Sequence, residues 1–154
     1  MTKTLALLFL LLSAPLAAAA DWPIACEGTT CTASLGLKDD ASGKMMATVL
    51  VARTKGEAEA RIGAALPLGV ALAPGARFVA GAETVDLTFD VCFPDGCRAM
   101  AGATPERIAA LAAAGAFELR FFPYGRDRAV AVRVPADGLA ETLDALRRQA
   151  DARP

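Results

Sequence analysis

In 154 residues the chain holds no histidine and no asparagine, and 16 basic against 17 acidic side chains leave a formal charge of −1. Without histidine there is no Ser-His-Asp or Cys-His nucleophile and no imidazole ligand for a metal; without asparagine there is no N-glycosylation site. The near-balance of charge lacks the basic footprint of nucleic-acid-binding domains, so no nucleic-acid partner is expected.

The first element in chain order is a leader. Lys3 precedes an apolar run at residues 5–12, and Ala17-Ala18-Ala19-Ala20 lies just before Asp21. This is the pattern of a secretory signal peptide, residues 1–20, cut after Ala20. Its apolar run falls short of the about 20 residues that span a hydrocarbon core. Residues 21–154 are then expected to be one exported domain, periplasmic, associated with the outer envelope or secreted, with no transmembrane segment of its own.

Strand patterns dominate the chain beyond the leader. "KMMATVLVAR" is apolar on both faces and predicts a central strand covered on both sides. "ETVDLTFDVC" alternates, with Val85, Leu87, Phe89 and Val91 on one face and Asp86, Thr88 and Asp90 on the other. "FELRFF" and "RAVAVRVP" alternate in the same way. Turn signals separate these runs, among them Pro74-Gly75, Pro94-Asp95-Gly96 and Pro123-Tyr124-Gly125. Short strands with Gly/Pro turns predict an all-β sandwich or barrel.

Two short helices interrupt the strands. Thr104-Pro105-Glu106 reads as an N-cap, a proline at the first helical position and a first-turn acid, and Gly115 reads as the stop. A second helix carries Leu139, Leu143 and Leu146 on one stripe, with Asp137 as its expected cap and fraying expected beyond Arg148. Both read as peripheral packing helices.

Cys26, Cys31, Cys92 and Cys97 form two C-x4-C pairs. In an exported chain an even count reads first as a disulfide framework, and four cysteines allow three connectivities. In "CFPDGC" the proline presets φ and the glycine is expected in the left-handed position, which would set Cys92 against Cys97 across a hairpin. A local bond there contributes only about 2 kcal/mol of chain entropy, whereas a crossed Cys26–Cys97 bond contributes roughly 4 kcal/mol. Entropy favours crossing and turn geometry favours the neighbours; the local pairs are the reading adopted. Zinc wants tighter C-x2-C spacing or histidine, so no metal and no cofactor are expected. A redox role for Cys92/Cys97, as in a periplasmic thiol-disulfide protein, is the alternative; Arg98 alone supports an activated thiolate.

These landmarks, taken in order, resemble the invasion-associated locus B family of secreted bacterial proteins. Trp22-Pro23-Ile24-Ala25-Cys26 is similar to its W-x3-C opening, and Cys31 to its second cysteine. Pro67-Leu68-Gly69 with Pro74-Gly75 resembles its PLG…G segment. Phe89 to Ala99 resembles its F-x2-C-x3-GC-x-A signature, and Val132-Arg133-Val134-Pro135 with Gly138-Leu139 resembles its closing strand and helix. Leu139 departs from the family's phenylalanine, and the stretch between the leader and Trp22 is short. The resemblance implies an exported, immunoglobulin-like β-sandwich of the Gram-negative envelope. It also implies a structural role for Cys92 and Cys97, a family named for host-cell invasion, and no catalytic residues.

Function is therefore expected to lie on a surface rather than in a reaction. Asp39, Asp40, Asp90 and Asp95 are the carboxylates a hydrolase would need, but they occupy turn and strand-face positions where solvated acids are ordinary. The candidate interaction residues are Phe93, Arg120, Phe122, Tyr124, Arg126 and Arg128, because aromatic and arginine side chains are the usual interface anchors. The expected partner is a protein, glycan or envelope component.

Overall fold

The computed structural model describes residues 20–154, so the leader expected at residues 1–20 lies, except for Ala20, outside the described residues. Nine strands follow in the order β1 (Ile24–Glu27), β2 (Thr30–Lys38), β3 (Met45–Thr54), β4 (Ala60–Leu66), β5 (Ala76–Ala80), β6 (Glu83–Phe93) and β7 (Gly96–Ala103). Helix α1 (Pro105–Ala113) then precedes β8 (Ala116–Phe121) and β9 (Val130–Pro135), and α2 (Leu139–Asp151) closes the chain.

All pairings are antiparallel, and the spatial order is β1-β2-β3-β4-β7-β6-β5-β8-β9. The mostly-β expectation with two helices holds. Hydrogen bonding runs through one curled sheet, however, rather than dividing into the two separate sheets of an immunoglobulin-like sandwich. The reason is β6, whose eleven residues serve two partners: Glu83–Leu87 pairs with β5, and Thr88–Phe93 pairs with β7.

The concave face holds the core. Val49, Val51, Ile62, Val85, Leu119 and Val134 point into it and are almost wholly buried. Phe78 of β5 and Phe117 of β8 meet there edge to face, with centroids 5.2 Å apart. Helix α2 lays Leu139, Leu146 and Ala150 against β2 and β3, and α1 lays Ile108 and Leu111 near β5, β6 and β8.

Strand β3 differs from its reading in the sequence. Ala47, Val49 and Val51 enter the core, but Thr48 and Leu50 are only half-buried on the convex side. Its two-sided apolarity thus marks a lightly covered outer face, not a second layer of protein.

Strand β6 departs from simple alternation at Asp90. The pairing steps from Phe89↔Ala99 to Val91↔Arg98, which leaves Asp90 as a bulge. The extra residue turns Val91 away from the face of Val85 and Leu87 and brings Cys92 onto it, opposite the buried Cys97.

Helix starts and stops follow local chemistry. The Thr104 hydroxyl accepts from the Arg107 amide, Pro105 opens α1, and Gly115 follows its end at φ 71°. For α2 the expected cap is corrected: Gly138, at φ 74°, occupies that position without a side-chain cap, and Asp137 lies one residue earlier. The expected fraying past Arg148 is also corrected. Ala150 is fully buried, and Arg153 donates to the Gly28 carbonyl at 2.9 Å and accepts from Lys55 Nζ at 2.5 Å. The C-terminus is thereby tied to the first hairpin and to the end of β3.

Candidate functional site

Alternation of strand direction puts four connections at one end of the sheet: residues 39–44, 67–75, 94–95 and 122–129. The other end carries the turns at 28–29, 55–59 and 81–82, together with both helices. Among the described residues the exposed large apolar side chains are Met45, Leu68, Leu72, Phe93 and Tyr124. All five belong to the first end or to the strand residue beside it. Single exposed apolar residues are normal on any protein surface, but their confinement to one rim is not scatter.

The long connection from β4 to β5 knits this rim together. Pro67 packs beside Gly96 at the β6–β7 turn. The Tyr124 amide donates to the Gly69 carbonyl at 2.7 Å, Val70 bridges to Pro123, and the Ala71 amide donates to the Phe122 carbonyl at 2.8 Å. Phe93 and Tyr124, 31 positions apart in sequence, are thereby held on one continuous rim.

The predicted surface residues divide. Tyr124 is 81% exposed and Phe93 is 52% exposed. Arg126 and Arg128 are exposed beside them and make no ion pair with another described residue. Phe122 is half-buried, with its carbonyl engaged by Ala71. Arg120 stands apart: it lies within β8, opposite Arg77, and Glu118 of the same strand neutralises it at 2.6 Å. Sequence reading missed Met45, Leu68 and Leu72. The legible signal was an apolar residue inside turn chemistry, as in Pro67-Leu68-Gly69.

Beside Phe93 the convex face of β3, β4 and β7 forms an open groove of about 480 Å³, lined by Met45, Met46, Leu50, Pro67 and Phe93. At its side Arg98 binds Asp90 through two nitrogens, at 3.1 and 2.9 Å, and Arg61 stands 3.8 Å from the same carboxylate. The Arg98 hydrogen bonds hold the Asp90 carboxyl below the usual carboxylate range, against a smaller opposing effect of burial. Asp39 is lowered in the same direction by the hydroxyl and amide of Ser42. Both groups are thereby kept as anions, the opposite of what a proton-donating catalytic acid requires. Among the described residues no group of three or more Cys, Asp or Glu is placed to hold a metal ion.

Cys26 bonds to Cys31 and Cys92 to Cys97, so the local connectivity stands. In each case the two residues face each other directly across a hairpin with a two-residue turn. The role read for Gly96 is corrected. Its φ is not positive, and it opens β7, where a Cβ would collide with the Leu66 carbonyl of β4. Glycine is needed there for close approach rather than for turn conformation.

Curled sheet, two stapled hairpins and an apolar rim define a small disulfide-locked β protein. The sequence matches the family described as Invasion associated locus B (IalB) protein over residues 22–147, and the chain belongs to that family. Among solved structures it is similar to the crystal structure of invasion associated protein b from Bartonella henselae. The similarity has a TM-score of 0.72 at 17% identity and covers 86% of this chain and 96% of that one. No curated protein matches the sequence.

Proposed function

We propose that the protein is an exported, non-enzymatic envelope protein that acts by binding through the rim formed by Phe93, Phe122, Tyr124, Arg126 and Arg128, in an envelope role or in contact with a host cell. The observation that carries this reading is the segregation of every exposed large apolar side chain among the described residues to one end of the sheet. Export is supported by the leader pattern and by both disulfides, which belong to oxidising compartments. A binding role, rather than thiol chemistry at Cys92/Cys97, is supported by the duplication of the staple. Cys26–Cys31 repeats the same cross-hairpin geometry at a site remote from the rim.

The test is site-specific photocrosslinking in living cells, with the probe at position 124 or 93 and a control probe at position 82 on the opposite end. Crosslinks to a cell component are expected from the rim positions alone. Equal labelling at position 82, or none at any position, overturns the reading.

A further inference from the structure

We infer that the cleft between β2 and β9 takes up an extended segment of a partner polypeptide as an added strand, and that this segment alternates apolar with acidic side chains. The site is distinct from the rim, and the inference does not rest on the rim reading.

Two strand edges lack neighbours here. Strand β1 pairs with β2 only as far as Ala33, and the next bond, from the Ser34 amide to the Pro23 carbonyl at 3.1 Å, is the last along that edge. The bond fixes the alternation: Ser34, Gly36 and Lys38 turn their N–H and C=O groups away from β3. On β9 the Ala136 amide donates to the Gly115 carbonyl at 3.1 Å, in register with the β8 ladder. Val130, Val132 and Val134 therefore face β8, and Ala131 and Arg133 present their backbone groups on the open side. The N–H and C=O groups of Gly36, Lys38, Ala131 and Arg133 have no backbone partner among the described residues.

Both open edges line one cleft of about 400 Å³, with Gly36, Leu37 and Lys38 on one side and Val132, Arg133 and Pro135 on the other. An extended residue rises about 3.3 Å in a slot about 4.8 Å wide and about 10 Å deep, roughly 160 Å³. The cleft therefore has room for about two to three residues of a single strand. An extended chain offers donors and acceptors with the same two-residue period on both of its sides, which is the chemistry of strand addition. Every ladder is antiparallel, so β2 and β9 run in opposite directions, and the added strand runs antiparallel to one and parallel to the other.

The flanking side chains define what the strand carries. On the core side, Leu35 is 9% exposed against 0% for its register partner Val49, and Val132 is 8% exposed against 0% for Leu119. Apolar side chains at alternate positions complete that cover. On the solvent side Lys38 and Arg133 stand exposed, one on each flank, and neither makes an ion pair with another described residue. Carboxylates at the intervening positions pair with them across the strands. Asp39 and Asp40 lie beyond the end of β2 and bound the cleft there, and Ser42 engages the Asp39 carboxylate.

The test uses two short capped peptides, one repeating Val-Glu and one repeating Val-Lys, and reads amide hydrogen exchange of the purified protein by nuclear magnetic resonance. In the free protein the Gly36, Lys38, Ala131 and Arg133 amides should exchange faster than those of Leu37 and Val132, which face neighbouring strands. With about nine-tenths of the protein bound to the Val-Glu peptide, exchange at the four amides should slow about tenfold, because only the free fraction exchanges. The Val-Lys peptide should bind at least about threefold more weakly at low salt. Arg133→Pro removes an outward amide and a cation without taking a donor from the β8 ladder, and should weaken Val-Glu binding about tenfold. If that variant folds poorly, Arg133→Glu provides the second measurement: it should cancel the preference for the acidic peptide.

No protection by either peptide, equal binding of both, unchanged binding to Arg133→Pro, or a preference that survives Arg133→Glu each overturns the inference. Protection in the free protein also overturns it. If that protection is independent of concentration, β2 and β9 already pair with each other; if it grows with concentration, a second copy fills the cleft. Failure of crosslinking at positions 93 and 124 with peptide protection intact removes the rim reading and leaves this inference standing.

Discussion

The indole Nε1 of Trp22 donates to the carbonyl of Asp137 at 3.2 Å, joining residues 115 positions apart. Trp22 precedes β1, and Asp137 follows β9, so the bond links the two edge strands of the curled sheet. Only 6% of Trp22 is exposed, and Ala20 and Trp22 both lie close to Gly138. The large side chain thus fills the seam between the segment before β1 and the connection from β9 to α2. Burial of such a ring is worth several kcal/mol, far more than its single hydrogen bond.

Trp22→Ala should therefore cost about 3–5 kcal/mol, whereas Trp22→Phe, which keeps most of the apolar volume, should cost less. Urea unfolding followed by circular dichroism is the appropriate measurement, because Trp22 is the chain's one tryptophan and its substitution removes the fluorescence signal. Equal losses in the two variants would show that the hydrogen bond, and not the ring, closes the seam.

The two staples should behave as independent local constraints. Trypsin cuts at neither loop, because no Lys or Arg lies between Cys26 and Cys31 or between Cys92 and Cys97. A non-reduced digest should yield two separate peptides, each lighter by two hydrogens than its reduced form; crossed bonds would give one linked pair. Replacing Cys92 and Cys97 together by serine should cost about 2 kcal/mol in urea unfolding, the entropy of a small loop.

How much of this was legible in the sequence depended on whether the cause was local. The strand at 85–89 and the Thr104 cap follow from alternation and capping within a few residues, and Cys92 and Cys97 face each other across a short hairpin as read, though not through a left-handed Gly96. The Trp22–Asp137 seam and the need for glycine at 96 arise from segments distant in sequence, and no local pattern encodes them; the Asp90 bulge lies within the β6–β7 hairpin, but the apolar alternation of residues 85–91 runs through it unbroken. The same limit applied to the surface. Phe93 and Tyr124 stood out as aromatics in turns, but their common rim depends on the 67–75 connection, which reads as an irregular loop. Arg120 was grouped with Arg126 by proximity in sequence, and strand register separated them.

Gly96 gives a direct test of close approach. A Cβ there meets the Leu66 carbonyl, which belongs to the backbone of the neighbouring strand and cannot swing aside. Gly96→Ala should lose about 1–3 kcal/mol, as overpacking does. At Gly102 the nearest atom is the carboxylate end of Glu59, a side chain free to move, so Gly102→Ala should be nearly neutral. Thermal melts of the two variants, with both disulfides intact, distinguish them. A neutral Gly96→Ala would mean that the strands separate without cost.

Acid should act in part through Asp90. Its carboxyl is held below the usual range by the Arg98 hydrogen bonds, so the folded state binds this proton less readily than the unfolded chain does. The stabilisation is accordingly complete above the unfolded carboxyl pKa of about 3.9 and is lost as pH falls through the lower folded value. The pair is substantially solvated, with side-chain exposures of 42% for Arg98 and 33% for Asp90, so the contribution should stay below about 1 kcal/mol. Asp90→Asn should reduce stability slightly at neutral pH and converge with wild type in strong acid. Urea midpoints across that range, measured in low and high salt, read the effect directly. A gap between the two proteins that persists at the acid end would assign the loss to the bulge geometry rather than to the charge on Asp90.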